Sequence, residues 1–386
     1  MESPYFTEEH AMIREQVRKF IDREVRPHGE AWEAEGKVPR EVLRKMGDLG
    51  LLSMRHPEKY GGAGLDARAS VVLAEELGRS TFGGFNATVS VHTDMATPHL
   101  IHAGSEAQKE RYLPDIAAGK KITAVAVTEP DGGSDVARLR TKAVRDGDGW
   151  LLNGAKTFIT NGVHADLLFV AARTDPDAKR SRGISMFIVE KDAPGFRVAK
   201  QLKKTGWHCS DTAELVFEDC RLPADALLGE ENAGFYAIMR NFQNERMVIG
   251  ATCTGEATEA LAITLRYVRE RQAFGGPLWE MQTIRQRLAA LAGQVEAGRR
   301  LVHHAAWLDS QGRDCVKEMS MVKAYWGELV NRVLYDCVQF HGGMGYISET
   351  AIERMARDTR VNSIGGGATE VMLEEVAKRL DPDMMM

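Results

Sequence analysis

The chain has 386 residues, 44% of them hydrophobic and 27% charged, and a formal net charge of −5. These values are typical of a soluble protein of roughly two or three domains, and they argue against nucleic acid as the main partner. The five cysteines are odd in number and form no C-x-x-C pair, which fits a reducing compartment better than a disulfide framework or a zinc site. With no signal segment and no apolar run of membrane-spanning length, a cytoplasmic protein without a membrane span is expected.

The first third of the chain has the pattern of helices. Thr7 is a good N-cap, Glu8 and Glu9 suit a first turn, and apolar residues recur every three or four positions from Met12 to Val25. Further helical patterns are predicted over residues 40–49, 69–77, 86–103 and 106–117. An all-α domain is therefore expected over residues 1–121.

The pattern changes at Lys120 and again at Gly234. Short apolar runs at 167–171, 184–189 and 215–217, separated by Pro and Gly turns, predict a β domain over residues 122–232. Long helical periodicity then returns, with room for four or five helices of bundle length over residues 233–386. The predicted fold is therefore a multidomain α and β chain, in which an all-β domain lies between two helical domains.

Residues 124–162 have a pattern that predicts a ligand-binding site. A strand over residues 122–127 delivers Thr128 to its end, where Pro130 stops regular pairing. A Gly-rich turn follows, and after a hairpin signal at 146–149 a second strand ends with Phe158 and Thr160. Two threonines and one aromatic ring at neighbouring strand ends predict a binding site for a flat heterocycle.

Three other patterns carry no function. Residues 250–256 have the glycine spacing of a phosphate loop but lack its Lys and its Ser or Thr. No G-x-G-x-x-G follows a strand, so a Rossmann site is not predicted. His92, His99 and His102 could share a helix face, but they have no Cys or carboxylate beside them, and no metal site is predicted.

Glu245 is a charged residue at a position of the C-terminal part where the pattern calls for an apolar one. The apolar residues Phe235, Ile238, Phe242 and Ile249 mark the buried stripe of a helix, and Glu245 lies within that stripe. Burial raises the pKa of a carboxyl group toward neutrality, where a general base works best. A structural ion pair is the alternative, but the adjacent Arg246 points about 100° away around the helix.

Two later regions could contact a ligand. Residues 269–277 end a helix with cations and Phe274, and Arg271 could either bind a phosphate or cap helix carbonyls. Residues 339–346 and 364–370 form Gly-dense loops, which usually let the backbone approach a ligand or a neighbouring subunit.

Eight stretches, in this order, make the chain resemble an acyl-CoA dehydrogenase along nearly its whole length. They read PEKYGGAGLD, GSEAQKERYLPDIAAGK, AVTEPDGGSDVARLRTKA, NGAKTFITNG, GWHCSDTAELVFEDCRLPADALLGEENAGF, RQAFGGPLWEMQ, QFHGGMGYISETAIERMARDTR and IGGGATEVM. The resemblance implies an N-terminal all-α domain, a middle β-barrel or sandwich domain and a C-terminal four-helix bundle. It also implies FAD as cofactor, an acyl-CoA thioester as substrate, a homotetramer and an electron-transferring flavoprotein as electron acceptor.

The resemblance also implies site residues. Those around the isoalloxazine ring would be Val127, Thr128, Ser134, Phe158 and Thr160, with Phe158 in place of the family's common Trp. Those binding the rest of FAD, largely from a neighbouring subunit, would be Arg271, Phe274, Gln282, Gln339 and Gly343, together with Thr369 and Glu370. Those near the substrate would be Ser134, Arg246 and Gly366.

The proton-abstracting residue departs from a common family pattern. Many members carry a Glu in a C-terminal Y-E-G-T sequence, where this chain has Gly366. Long-chain and isovaleryl-type members resemble this chain in placing the Glu on a helix just before an Arg, which is the position of Glu245. The resemblance therefore implies Glu245 as the base, with the Gly366 amide and an FAD ribityl hydroxyl stabilising the enolate. The implied product is a trans-2-enoyl-CoA.

Several alternatives stay open at this point. An oxidase or flavin monooxygenase of the same fold would pass electrons to oxygen, and a noncatalytic flavin or acyl-CoA binding subunit would show no turnover. A desulfinase-like relative is expected to lack the base, so Glu245 counts against it. The sequence does not define the acyl chain, and His92 and Asp94 could either line its pocket or face solvent.

Overall fold

The N-terminal part of the computed structural model is helical, as predicted. The structure describes residues 4–179 and 181–382. The helices are α1 (Glu8–Phe20), α2 (Gly29–Glu35), α3 (Arg40–Asp48), α4 (Ala67–Gly78), α5 (Gly83–Ser90), α6 (Thr97–Ala103) and α7 (Glu106–Ala117). Thr7 is the N-cap of α1, as the sequence predicts.

The helix predicted over residues 86–103 is not continuous. It is divided into α5, a π-helical turn at Val91–Ala96, and α6. Pro98 lies in the first turn of α6. Because proline has no amide hydrogen, it cannot continue the hydrogen-bond ladder of a regular α-helix through this point.

Eight strands form the middle sheet. They are β1 (Thr123–Ala126), β2 (Lys142–Asp146), β3 (Gly149–Thr160), β4 (Leu167–Arg173), β5 (Ile184–Glu190), β6 (Phe196–Gln201), β7 (Thr212–Leu222) and β8 (Leu227–Leu228). The order is β6-β7-β3-β2-β4-β5-β8, and β1 pairs in parallel with β4. Strand β6 was not predicted from the sequence. It is an edge strand whose residues are exposed after Phe196, so it shows no alternation of buried and exposed residues.

The sheet curves around its own core and packs its outer face on helices. Leu168 and Val170 of β4 join side chains of β3, β5 and β7 in one inner cluster. Leu167 and Phe169 point the other way and meet residues of α6, α7 and the next long helix. Strand β4 is thus buried on both faces, which explains its continuous apolar run.

The C-terminal part is again helical. Its helices are α8 (Gly234–Glu270), α9 (Gln282–Ser310), α10 (Val316–His341), α11 (Ala351–Thr359) and α12 (Thr369–Ala377), with a short hairpin of β9 (Gln272–Ala273) and β10 (Gly276–Pro277) between α8 and α9. The buried core joins α8, α9 and α10 to α4. Across the described ranges, no helix is long and apolar enough to cross a membrane. All five cysteines are buried and free.

The crossing of α4 and α8 depends on two glycines. A Cβ added at Gly255 would lie 1.9 Å from the backbone oxygen of Glu75 and 3.1 Å from Cα of Gly78. Both neighbours are backbone atoms, so no side-chain rotation could relieve the contact. The absence of a side chain lets α8 lie against the N-terminal domain.

We expect Gly255→Ala to lower the free energy of unfolding by about 1–3 kcal/mol, because the helices must separate. The matched control is Gly293→Ala on α9, where a Cβ would have nothing within 4 Å. Alanine is favoured over glycine in a helix by about 1 kcal/mol, so this control should be neutral or stabilising. Urea unfolding of both variants measures the difference, and equal effects would contradict the close-packing argument.

Candidate active site

The end of β1 is fixed against β3 by buried polar contacts. The backbone amide of Thr157 donates to the carbonyl of Thr128 at 3.0 Å. The fully buried Lys156 donates through Nζ to the carbonyl of Val127 at 3.0 Å and to Oε1 of Glu129 at 2.8 Å. This ion pair fixes the turn after β1, so that Thr128 and β3 lie side by side as predicted.

Phe158 is turned out of the sheet. A register shift in the pairing of β3 with β7 lies between Lys156 and Ile159. Phe158 has φ of +59°, which is unusual for a residue with a side chain, and its side chain is 68% exposed. The bulge therefore directs an aromatic ring outward beside Thr128, and such devices often re-aim side chains at functional sites.

The polar side chains at these strand ends are available to a ligand. Within the described residues, the hydroxyl groups of Thr128, Ser134 and Thr160 form no hydrogen bond. A Cβ at Gly133 would meet Cγ2 of Thr128 at 3.4 Å, so the Gly-rich turn lies over the strand end. Free hydroxyls beside an exposed ring fit the polar edge and apolar face of an isoalloxazine.

A second group of predicted residues lies at one end of the helical bundle. The ring of Tyr267 on α8 stacks on His341 of α10 with centroids 4.2 Å apart, and its hydroxyl donates to the His341 carbonyl at 3.2 Å. This contact brings Arg271 and the loop after α10 to the same end of the bundle. Phe274 is 95% exposed there, with φ of +54°.

This second group is separate from the strand ends. The side chains of Arg271, Gln282 and Gln339 form no hydrogen bond within the described residues, so the capping alternative for Arg271 is not observed. In the same ranges, no hydrogen bond joins this group to Thr128 or Ser134. One chain therefore presents two groups of predicted residues, one at the strand ends and one at the end of the bundle, and no hydrogen bond among the described residues connects them.

Glu245 lies in the apolar face of α8 with only 7% of its surface exposed. Burial raises its pKa to about 7, although a hydrogen bond from Asn241 and the charge of Arg246 act in the opposite direction. Nδ2 of Asn241 donates to Oε1 of Glu245 at 3.0 Å. In the part of the chain that the structure describes, Glu245 forms no ion pair. The ion-pair alternative is therefore not supported.

Arg246 is engaged away from Glu245. Its Nη1 donates to Oε1 of Gln243 at 3.1 Å and to Oγ of Ser320 at 3.5 Å. Burial lowers its pKa from the ordinary value. Its Nε is buried without a partner among the described residues, which leaves a donor for a ligand.

Gly366 faces the same helix as Glu245. It has φ of +64°, and a Cβ there would lie 2.3 Å from Cδ1 of Ile249, one helical turn beyond Glu245. Within the described residues, its amide donates no hydrogen bond. The loop thus presents a free N–H close to the face of α8 that carries the carboxyl group.

Lys323 holds this loop and was missed from the sequence. Its Nζ donates to the carbonyl of Asn362 at 2.7 Å and to that of Gly367 at 2.8 Å. It is fully buried, and burial lowers its pKa to about 8. A lysine within the apolar face of α10, between Val322 and Trp326, is the signal that could have identified it.

Other candidates are placed differently. Oγ1 of Thr369 donates to Oε1 of Glu328 at 2.9 Å, so this hydroxyl already has a partner. Glu370, the next residue, is exposed. His92 and Asp94 are both buried, so of the two alternatives left open for them the solvent-facing one is excluded. His92 contacts Thr123 through Nδ1. No cluster of potential metal ligands occurs among the described residues.

Comparison with known proteins matches all three parts of the chain. Models of the acyl-CoA dehydrogenase N-terminal, middle and C-terminal domains match residues 7–120, 124–220 and 232–381. The mitochondrial long-chain specific acyl-CoA dehydrogenase of Mus musculus is 42% identical over 381 residues, which cover 98% of this chain and 88% of that protein.

Solved structures of the same family resemble this chain over nearly its whole length. The acyl-CoA dehydrogenase of Geobacillus kaustophilus is 43% identical with a TM-score of 0.94, covering 98% of this chain and 100% of the other. A glutaryl-CoA dehydrogenase from Mycobacterium smegmatis in complex with FADH2 is 32% identical with a TM-score of 0.91, covering 97% and 95%. The chain therefore belongs to the acyl-CoA dehydrogenase family of FAD-dependent oxidoreductases.

Proposed function

We propose that this enzyme removes the α proton of an acyl-CoA thioester with Glu245 and yields a trans-2-enoyl-CoA. The observation that carries the proposal is a carboxyl group buried in an apolar helix face without an ionic partner among the described residues. Its pKa of about 7 suits a base that is ionised at neutral pH and still binds a proton readily.

The Gly366 amide supports the same reaction by acting on the thioester oxygen. Loss of the α proton places negative charge on the thioester oxygen, and a fixed N–H donor stabilises that charge as it develops. Because Lys323 holds the carbonyls of Asn362 and Gly367, the loop between them is fixed before the substrate binds. Ser134 and the free Nε of Arg246 are proposed to contact the CoA part of the substrate.

The two groups of predicted residues fit FAD if two subunits share it. Thr128, Ser134, Phe158 and Thr160, with Val127, would hold the ring system. Arg271, Phe274, Gln282, Gln339 and Gly343 of a neighbouring copy, together with Thr369 and Glu370, would hold the remainder. When bound, FAD supplies the acceptor for the β hydrogen, which leaves as hydride. The enzyme is proposed to be a homotetramer that passes its electrons to an electron-transferring flavoprotein. A cytoplasmic location is proposed because the five free thiols suit a reducing compartment.

Glu245→Gln tests the base directly. The variant should retain FAD and bind acyl-CoA, but lose about 10²–10⁴-fold in the anaerobic rate at which substrate bleaches the flavin absorbance. Glu256→Gln is a matched control because Glu256 is also buried on α8, where burial keeps its pKa well above the usual range and it accepts from Asn362. Substantial bleaching by the Glu245 variant, or equal loss in the control, would remove Glu245 from its role.

Titration of Glu245 should act with opposite signs on activity and stability. Because its pKa is raised from 4.5 to about 7, kcat/KM should rise with pH through about 7. Above that pH the folded protein carries a buried charge, so Glu245→Gln should increase the free energy of unfolding by on the order of 3 kcal/mol. This gain should fade as the pH falls from 7 toward 4.5, where wild type becomes neutral in both states. Urea unfolding at about pH 8.5 and about pH 5 measures it.

Transferring the catalytic carboxyl group from position 245 to position 366 should also require a smaller side chain at Ile249. In Glu245→Gly with Gly366→Glu, the new Cβ meets Cδ1 of Ile249 at 2.3 Å and the residue has a left-handed backbone. We expect this double variant to be inactive and the addition of Ile249→Ala to restore part of the anaerobic bleaching rate. A triple variant that folds and binds FAD but stays inactive would show that position 366 does not share the substrate pocket with Glu245.

A further inference from the structure

Asn241 connects Glu245 to the irregular segment between α5 and α6. This buried side chain lies one turn before Glu245 on α8. Its Nδ2 lies 3.0 Å from Oε1 of Glu245, 2.8 Å from the carbonyl of Met95 and 3.3 Å from that of Asp94. One amide group therefore contacts both the carboxyl group and the backbone of the facing segment.

The Asp94 carbonyl lacks the donor that a regular α-helix would give it. In a regular helix the amide four residues later would serve the Asp94 carbonyl, but that residue is Pro98, which has no N–H. Nδ2 of Asn241 and Nδ2 of Asn244, the latter at 2.8 Å, donate to this carbonyl instead. Asn241 is thus anchored to the Asp94 carbonyl, from which Pro98 withholds a donor, and also to the Met95 carbonyl.

The segment that anchors Asn241 is itself held firmly. The carboxylate of Asp94 accepts from Oγ of Ser70 at 2.6 Å and from Oγ1 of Thr93 at 2.7 Å. Asn241 cannot turn away from Glu245 without breaking its own bonds to the backbone carbonyls. Its amide is consequently a fixed donor on one side of the Glu245 carboxyl group.

We infer that Asn241 is a positioning residue, which holds Oε1 of Glu245 and directs Oε2 toward the substrate α carbon. Within the described residues, Oε2 makes no hydrogen bond, so this oxygen is available to the proton. The inference deepens the proposed function and rests on it. A donor to the charged form of a carboxyl group also favours ionisation, which counteracts the effect of burial.

The charged groups around Glu245 are few. Arg246 follows it on α8, Asp94 faces it from the segment before α6, and Arg55 lies 3.9 Å from Asp94 and contacts Asn244. From α10, Lys323 is held by the Gly366 loop. None of these forms an ion pair with Glu245 in the described part of the chain, so Asn241 is its closest polar partner there.

Exchange of the α hydrogens in D2O tests this inference without any hydride step. The probes are holoenzyme with phenylacetyl-CoA, or with 3,3-dimethylbutyryl-CoA, whose β carbons carry no hydrogen that could leave. Mass spectrometry then measures proton abstraction alone as a function of pD. Loss of exchange in Glu245→Gln would establish the base, and persistence of exchange would overturn the proposed function separately.

Asn241→Leu should move the midpoint of the exchange profile up by about one unit, because the donor that favours the ionised carboxyl is lost. It should also slow exchange at high pD by about 10-fold or more, because Oε2 is no longer directed. Asn244→Leu is the matched control, since Asn244 bonds the same Asp94 carbonyl but does not contact Glu245. Its midpoint should stay unchanged.

Two results would overturn the inference while Glu245 remains the base. One is an unchanged midpoint and rate in Asn241→Leu, and the other is an equal shift in both asparagine variants, which would indicate general loosening of the segment. If Asn241→Leu does not fold, Asn241→Ala, which removes the donor without adding bulk, is judged by the same two criteria. FAD content measured by absorbance confirms that each variant is loaded.

Discussion

The burial of one carboxyl group is the constraint on which the site depends. An isolated charge in an apolar environment is costly, and proteins usually neutralise it or supply a partner. Glu245 has neither a cation nor a second carboxylate bonded to it within the described residues, and only Asn241 donates to it. The resulting pKa of about 7 follows from burial, which raises it, and from the Asn241 hydrogen bond and the charge of Arg246, which lower it. A cation paired with Glu245 would lower that pKa and weaken the base.

Helix α8 can hold a buried carboxyl group because its other faces are packed tightly. A Cβ at Gly255 would collide with the backbone of α4, and one at Gly250 would lie 2.2 Å from Cγ1 of Val322 on α10. Ile238, nearer its start, joins the cluster under the sheet. The same helix therefore contacts all three domains, and packing along its length offsets the destabilisation at Glu245.

The order of the domains and the burial of Glu245 in a helix face could both be predicted from the sequence. Glu245 could be found because burial along α8 is periodic and a charge interrupts that period. Phe158 could be found as an aromatic residue, but its outward direction depends on a bulge between β3 and β7, which pairing determines and local sequence does not. Lys323 interrupts an apolar face as Glu245 does, yet its role depends on carbonyls of Asn362 and Gly367, some forty residues later in the chain.

Asn241 shows the same limit more clearly. Its neighbours in space are the Asp94 and Met95 carbonyls of another domain, and Pro98, four residues after Asp94, has no amide hydrogen to donate to the Asp94 carbonyl. A polar residue one turn from a buried carboxyl is visible in the sequence, but its anchor is not.

Arg271 and Phe274 lie at one end of the helical bundle, whereas Thr128 and Ser134 follow strand β1. If two subunits share the cofactor, its binding free energy contributes to assembly, so dissociation of subunits and loss of FAD are linked equilibria.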